Sequence, residues 1–461
     1  MIETAAASFV PDWTFEPLEE SLDAARLLTV SVADHSARAA WEPMARWAGI
    51  PKRRWRRHHP LAPGAALIAL VDGRAAFDAA AWERFVSLVP GAIALPTRTA
   101  AAYGVSRASI RPPYRGQLRL IDLWRARRAA RRLRRAERTL AAEVAIAGSR
   151  TQQQAAAALK PGDDGTPFAE LPAYALGARF EQLLRWDDTS ALVDLAGSNL
   201  TGRLLHLLIE RGVAPGEALL TTAQLTSGVT VASPAWLAAL PAHGEQLDDA
   251  QLAQWVEQFG WHALRALHLD AAPLRAHPEA IRSWHAGTRL QASSASSAAP
   301  LTAASFGIES NAVLEDVIVR ARALTGLREQ VSQHRIELHA ALRAVTWTLA
   351  DRLVRERRLR ERDLIFDLTV DELLSIARGG AVPDLRPRQA AARGTLDARD
   401  AHDAAPPLAD PPSAPTELEL LGIPASSGIA QGPIVLLDEP SIDVQVDGAI
   451  IFCRVTDPGW M

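Results

Sequence analysis

Cysteine is almost missing from this 461-residue sequence, in which Cys453 is the only one. A single cysteine cannot form an internal disulfide, and no cysteine pair exists to build a structural zinc site. Long apolar runs are missing too, since none approaches the roughly 18 residues that a membrane span needs. The N-terminus, Met1-Ile2-Glu3, lacks the basic start of a signal peptide. We therefore expect a cytoplasmic protein without a membrane partner.

Lysine is equally scarce: Lys52 and Lys160 are the only two, and arginine supplies the other basic side chains. The formal net charge of −3 gives no overall attraction to nucleic acid or acidic lipid. With 22% charged and 48% hydrophobic residues, the composition is typical of a folded chain long enough for two or three domains. Disorder over most of the length is excluded.

Motifs for common cofactors and metals are also absent. Neither Gly-x-Gly-x-x-Gly nor Gly-x-x-x-x-Gly-Lys-Ser/Thr occurs, so the chain has no evident phosphate-binding loop, and His-Glu-x-x-His is missing. His262 and His268 are six residues apart and His334 and His339 are five apart, which are not metal-binding spacings. We expect no metal site, and histidines that are either exposed or hydrogen-bonded in the core.

Local patterns that are present predict a small sheet near the N-terminus. The apolar runs 67–71 and 74–77 flank Asp72-Gly73, which is a strong hairpin signal. Asp78 is placed to cap a following helix, which ends before Pro90-Gly91. The N-terminal part is therefore predicted to be a minor α/β element.

Helical periodicity dominates from there to residue 380. Leucines between 183 and 209 predict two or more helices, and Gly212 to Gly216 closes the series. The i, i+3, i+4, i+7 pattern predicts a helix around Leu314 to Leu324 and a further long helix around Leu338 to Leu353. We expect residues 1–380 to form a mainly helical domain.

The end of this domain carries sharper signals. Asp363 to Phe366 is predicted to be a short extended segment, and Thr369 with Glu372 forms a capping box that opens a helix ending at Gly379-Gly380. Residues 381–416 contain seven prolines and few large apolar groups, so we interpret them as a Pro/Ala-rich linker.

A β-containing domain is predicted to start near residue 417. Ile434 to Leu437 and Ala449 to Cys453 are short apolar runs separated by Asp, Pro and Gly, a pattern that favours strands.

Eight arginines lie between Arg125 and Arg138, and a second basic run spans Lys52 to His59. Such a stripe could neutralise nucleic-acid phosphates. The alternative is a solvated helix face, which basic runs in otherwise balanced proteins usually are. We therefore do not expect a nucleic-acid partner from the sequence alone.

The C-terminal segment 421–460 is the most specific part of the sequence. It matches the pattern Gly-x-Pro-Ala-Ser-x-Gly-x-x-x-Gly and then the pattern Gly-x-Ile-Leu-Val-x-x-x-Thr-x-Pro-x-Trp, with Ile451 and Phe452 in place of the Leu and Val. In this pattern it resembles the opening of the swivelling phosphohistidine domain of the phosphoenolpyruvate-utilising enzymes, such as phosphoenolpyruvate synthase and rifampicin phosphotransferase. The residues that carry the resemblance are Gly422, Pro424, Ser426, Gly428, Gly432, Gly448, Thr456, Pro458 and Trp460.

The resemblance implies a fold and a reaction. Residues 417–461 would be the N-terminal part of an incomplete β/α swivelling domain, and 1–380 the substrate-binding middle domain. In the family, a histidine of the swivelling domain takes phosphate from ATP and Mg²⁺ at an ATP-grasp domain or subunit and passes it to a small-molecule acceptor. That histidine is expected beyond Met461, so no catalytic residue is assigned in this chain, which is interpreted as a fragment.

Two functions remain open on the sequence, with nucleic-acid binding through Arg125 to Arg138 as a weaker third option. One is a part of a phosphotransferase that relays phosphate to a small-molecule acceptor. The other is a non-catalytic helical binding or regulatory protein derived from the same scaffold.

If the first interpretation holds, this chain alone transfers no phosphate, because it lacks both a phosphate-binding loop and the carrier histidine. Incubation with γ-labelled ATP should leave it unlabelled. Acid-labile, base-stable label on any histidine of the chain would contradict the prediction.

Overall fold

The structure is a computed structural model in which helices dominate. It describes residues 13–14, 25–62, 64–71, 74–89, 120–185, 189–226, 239, 247–263, 265–278, 281–282, 301–388, 432–436 and 449–452.

The mainly helical class that the sequence predicts is confirmed. The α-helices are α1 (Leu27–Trp47), α2 (Lys52–Arg57), α3 (Ala79–Leu88), α4 (Leu120–Ala158), α5 (Ala173–Leu183), α6 (Thr189–Glu210), α7 (Pro215–Thr226), α8 (Asp249–Phe259), α9 (Ala312–Arg355) and α10 (Val370–Ala377). Short 3-10 helices lie at Phe168–Glu170, Leu274–Ala276, Ala303–Phe306 and Arg362–Asp367. Within the described residues, no helix is both long enough and apolar enough to cross a bilayer.

The predicted N-terminal hairpin is present. Strands β2 (Ile68–Val71) and β3 (Arg74–Asp78) pair antiparallel, and a third strand, β1 (Trp13–Thr14), pairs with the other edge of β3. Val71 stands opposite Arg74, which is the register that a two-residue turn requires.

Buried polar contacts fix the open end of this hairpin, where β2 begins and β3 ends. Asp78 caps α3 as predicted, because its Oδ1 accepts the backbone N–H of Ala81 at 3.0 Å. Asp34 of α1 accepts the N–H groups of Leu67 and Ile68 at 2.7 and 3.0 Å. The sheet and α1 to α3 enclose an aromatic core of Trp41, Trp55, Trp82 and Phe85.

The longest helix, α9, has 44 residues and packs along α4, α5 and α6. Its first half contributes Leu314 to Val331 to one hydrophobic core with α4 and α6, and its second half contributes Leu338 to Leu353 to another with α5 and α10. The prediction of two separate helices in this region was wrong. No proline interrupts the stretch between them, so the backbone continues as a single helix.

Two further expectations need correction. Asp363 to Phe366 is a 3-10 helix and not an extended segment, and it buries Ile365 and Phe366 against the end of α9. Gly212, with a left-handed φ of 84°, ends α6, but α7 resumes at Pro215 and includes Gly216. Pro is well suited to that first helical position because it needs no N–H partner there.

The capping box at Thr369 and Glu372 is confirmed, and Gly379, with φ 102°, follows the end of α10. Residues 381–388 of the predicted linker pack on the helical domain. Leu385 is buried in its core, and Arg388 forms two hydrogen bonds of 2.7 Å to Glu372. Residues 389–416 lie outside the described residues, so a tether there stays a prediction.

The predicted C-terminal strands are also observed. Strands β4 (Ile434–Leu436) and β5 (Ile450–Phe452) pair in parallel, with Ile434 opposite Ile450. A parallel pair requires a crossover connection between its strands, which is typical of β/α architecture.

A buried arginine holds the loop that follows α8 against α9. The Arg343 side chain is fully buried and donates hydrogen bonds to the carbonyls of Trp261, Ala266 and His268 at 2.7, 2.9 and 2.7 Å. Burial lowers the pKa of Arg343 to about 10, which leaves it charged at neutral pH. The positive charge of Arg343 is therefore stabilised mainly by the backbone carbonyls of one loop.

Replacing Arg343 with Met should lower the free energy of unfolding by at least about 3 kcal/mol, because several buried carbonyls lose their donor at once. Amides of residues 261–269 should lose hydrogen-exchange protection first. Arg343→Lys should give an intermediate loss, because it keeps the charge but has fewer donors. Arg360→Gln, at an exposed position, is the matched control and should change stability by less than about 0.5 kcal/mol. Equal stability of Arg343→Met and the control would contradict this account.

Candidate functional site

A polar pocket of about 230 Å³ lies where α4, α6 and α9 meet beside the end of α5. We call it the arginine pocket. Its polar lining consists of Arg150, Thr151, Gln154, Arg185, Thr189, Ser190, His334 and Arg335, and its apolar lining of Ala147, Val331 and Leu338.

The pocket sits at an interruption of the apolar seam of α9. Val331 belongs to the core around the first half of the helix and Leu338 to the core around the second half. Between them, His334 and Arg335 are half-buried. The two hydrophobic cores thus leave a polar space between them.

Three arginines give this space a positive potential. Arg150 and Arg185 are exposed at its mouth, whereas Arg335 is half-buried. Asp194 of α6, which is not a lining residue, lies 3.6 Å from Arg335 and 3.5 Å from Arg328, so its carboxylate is shared between these two cations. No carboxylate belongs to the lining that the described residues provide.

His334 contributes the only imidazole among the lining residues that the structure describes. Burial lowers its pKa below the usual 6.5, against the opposing attraction of Glu337. The imidazole is therefore neutral at pH 7, with one nitrogen that can accept a proton.

Gly148 of α4 makes room for this imidazole. An added Cβ at Gly148 would overlap the His334 ring. Glycine inside a helix costs on the order of 1 kcal/mol relative to alanine, so a packing requirement explains its presence here.

Hydrogen-bond donors line the remaining walls. α6 begins at Thr189, and Thr189 and Ser190 line the pocket at this end of the helix. On the opposite side, the Gln154 amide donates to the carbonyl of Gln182 and so ties α4 to α5.

Cationic guanidinium groups, hydroxyls and a helix N-terminus together are suited to a small anion. A volume of about 230 Å³ is below the range of pockets for drug-sized ligands, which favours a carboxylate or phosphate compound with few carbon atoms. His334 could take a proton from a hydroxyl of such a ligand.

Two buried histidines of the core have a structural role. His262 and His339 are buried, and their Nδ1 atoms lie 2.8 Å from the carbonyls of Phe259 and Arg335, as expected of core histidines. Burial lowers the pKa of His339 to about 4, so it is neutral. Within the described part of the chain, no three His, Cys, Asp or Glu side chains are arranged to hold a metal ion.

The structure describes one of the nine motif residues, Gly432, which lies just before β4. The others fall outside the described residues, namely Gly422, Pro424, Ser426, Gly428, Gly448, Thr456, Pro458 and Trp460. The motif and the arginine pocket are therefore not brought together in the described residues.

Sequence reasoning missed the pocket. Arg150, Arg185 and His334 lie on separate elements and belong to no motif. The polar pair His334 and Arg335, between the two apolar stretches of α9, is the one local signal in the sequence that could have indicated it.

Comparison with known proteins adds no relative. No protein-family model matches this sequence, and no curated protein matches it.

Gly148→Ala should displace the His334 ring and close part of the arginine pocket. Because burial holds the pKa of His334 down, exposure of the ring should raise this pKa toward 6.5. NMR titration of the histidine Cε1 protons measures the shift.

Gly216→Ala is the matched control, since an added Cβ there has nothing within 4 Å. It should leave the His334 titration unchanged. An unchanged His334 pKa in Gly148→Ala would show that Gly148 does not position the ring.

Proposed function

We propose that the helical domain binds a small anionic acceptor as the substrate-binding part of a phosphotransferase of the phosphoenolpyruvate-utilising kind. The observation that carries the proposal is the arginine pocket, in which Arg150, Arg185 and Arg335 surround a space beside the neutral imidazole of His334. The C-terminal motif, from Gly422 to Trp460, supplies the link to phosphoryl transfer, and the parallel pairing of β4 with β5 is compatible with a β/α swivelling domain.

The arginines would bind the carboxylate or phosphate of the acceptor. Guanidinium groups form paired, charge-assisted hydrogen bonds with such planar or tetrahedral anions. The wall opposite α9 would add the hydroxyls of Thr189 and Ser190. Together they hold the acceptor in one orientation, which is the main requirement of phosphoryl transfer.

His334 would then act on the acceptor hydroxyl. As the hydroxyl oxygen attacks phosphorus, its proton passes to the neutral imidazole of His334, and the bond from phosphorus to the carrier breaks. A lowered pKa keeps the imidazole in the accepting form at neutral pH.

ATP and Mg²⁺ belong to a different part of the proposed system. The described residues include no cluster of carboxylates that could hold a metal, and the sequence has no phosphate-binding loop. The nucleotide and its metal would be bound by an ATP-grasp domain or subunit, the expected partner.

Isothermal titration of the protein with phosphoenolpyruvate, pyruvate and inorganic phosphate tests the pocket. Arg185→Gln should weaken binding about tenfold, the loss expected for one charge-assisted hydrogen bond. Arg360→Gln, which removes an exposed arginine outside the pocket, should leave the affinity unchanged. No binding of any of these anions, or equal losses in both variants, would overturn the assignment of the pocket.

Label transfer separates the two functions that the sequence left open. A phosphorylated swivelling domain from a phosphoenolpyruvate synthase is added to the protein with a bound acceptor. Transfer of label to the acceptor, lost in His334→Gln, supports the phosphotransferase. Binding without transfer would identify a non-catalytic binding protein instead.

A further inference from the structure

The fold brings the two basic runs of the sequence together. Lys52, at the start of α2, and Arg125, Arg128 and Arg132, on the first turns of α4, line one cleft of about 450 Å³. Arg46 of α1 lines it too. We call this the basic cleft, and its two walls come from segments about seventy residues apart in the sequence.

The cleft is built by close packing and not by chance proximity of surface side chains. Gly49 adopts a left-handed φ of 81°, and an added Cβ there would lie 2.9 Å from the Cβ of Ala129. Arg132 donates a hydrogen bond of 3.1 Å to the carbonyl of Arg46. The turn between α1 and α2 is thus held against α4, so the positive walls are preformed.

Positive charge dominates the cleft and continues beyond it. Glu42 is its only carboxylate among the lining residues that the structure describes. Arg127, Arg131 and Arg135 extend the cationic surface along α4 and line an adjoining recess of about 490 Å³. From Arg125 to Arg135 the helix rises about 15 Å, a length that spans several phosphates of an extended chain.

A tryptophan lies at the junction of the cleft and the recess. Trp124 lines both, and 57% of its surface is exposed. The guanidinium carbon of Arg128 lies 5.3 Å from the centroid of its ring. An exposed flat ring beside cations is the arrangement on which nucleic-acid bases stack while their phosphates are neutralised.

We propose that the basic cleft binds single-stranded nucleic acid. The length of the arginine surface favours an extended polyanion over a compact one, and Trp124 favours a polyanion that carries aromatic rings. The sequence alone favoured a solvated helix face, because basic runs in otherwise balanced proteins usually are one. The tertiary structure supplies the second wall and shows that Trp124 is exposed next to Arg128.

Fluorescence anisotropy with labelled 12-nucleotide oligo-uridylate and oligo-deoxythymidylate tests the proposal on the full chain. Binding should weaken steeply between 50 and 200 mM KCl, since each phosphate contact contributes about −0.7 to the slope of log K against log salt. Arg128→Gln combined with Arg131→Gln should make this slope shallower by about 1.4. Trp124→Ala should weaken binding of the oligonucleotides about tenfold while leaving that of inorganic polyphosphate unchanged.

The matched control removes two exposed arginines elsewhere, Arg357→Gln with Arg360→Gln, and should leave affinity and slope unchanged. Circular dichroism and thermal melting verify that every variant is folded. Absence of binding at 50 mM KCl would overturn the proposal. Equal losses of affinity in the control variant and the cleft variants would also overturn it. So would the combination of two results: polyphosphate competes as well as the oligonucleotide does, and Trp124→Ala does not change oligonucleotide affinity.

Discussion

The packing of α9 is the constraint on which the rest of the described helical domain depends. At 44 residues it is about 66 Å long, and it contributes side chains to two separate hydrophobic cores. α9 also positions the loop that follows α8, because the buried guanidinium of Arg343 donates hydrogen bonds to the carbonyls of Trp261, Ala266 and His268. Thr29 of α1 holds the same loop from the other side, through the N–H of Leu269 and the carboxylate of Asp270.

The arginine pocket is a consequence of this arrangement. A helix that packs against two hydrophobic cores needs apolar residues in both of its halves. The turn between the two halves faces neither core. His334 and Arg335 occupy that turn, and α4 approaches closely there because Gly148 has no side chain. Polar groups buried between two hydrophobic cores lower the stability of the fold unless they are hydrogen-bonded or bind a ligand. A bound anion would meet this requirement.

Charge is unevenly distributed over a chain whose net charge is only −3. The arginine pocket and the basic cleft both use cations of α4, the first through Arg150 near the end of the helix and the second through Arg125 to Arg132 near its start. They differ in shape: the pocket is small and lies between helices, whereas the cleft opens onto a continuous cationic surface with an exposed ring. A compact anion suits the pocket and an extended one suits the cleft.

The sequence by itself determined the elements whose signals are local. The pairing of β2 with β3, the Asp78 cap, the capping box of Thr369 and Glu372 and the strands β4 and β5 each depend on residues within a few positions of one another. Asp72 and Gly73, which predicted the hairpin, lie outside the described residues. Local signals also led to wrong predictions. The separate apolar patterns of Leu314 to Leu324 and Leu338 to Leu353 predicted two helices where one continuous helix is present. Asp363 to Phe366 was predicted to be extended, because local propensity does not report the burial of Ile365 and Phe366 under α9. Only the tertiary structure decided the arginine pocket and the basic cleft, since their residues lie on elements far apart in the sequence. Polar side chains at such distances share no periodicity, so only the packing of the apolar faces brings them together.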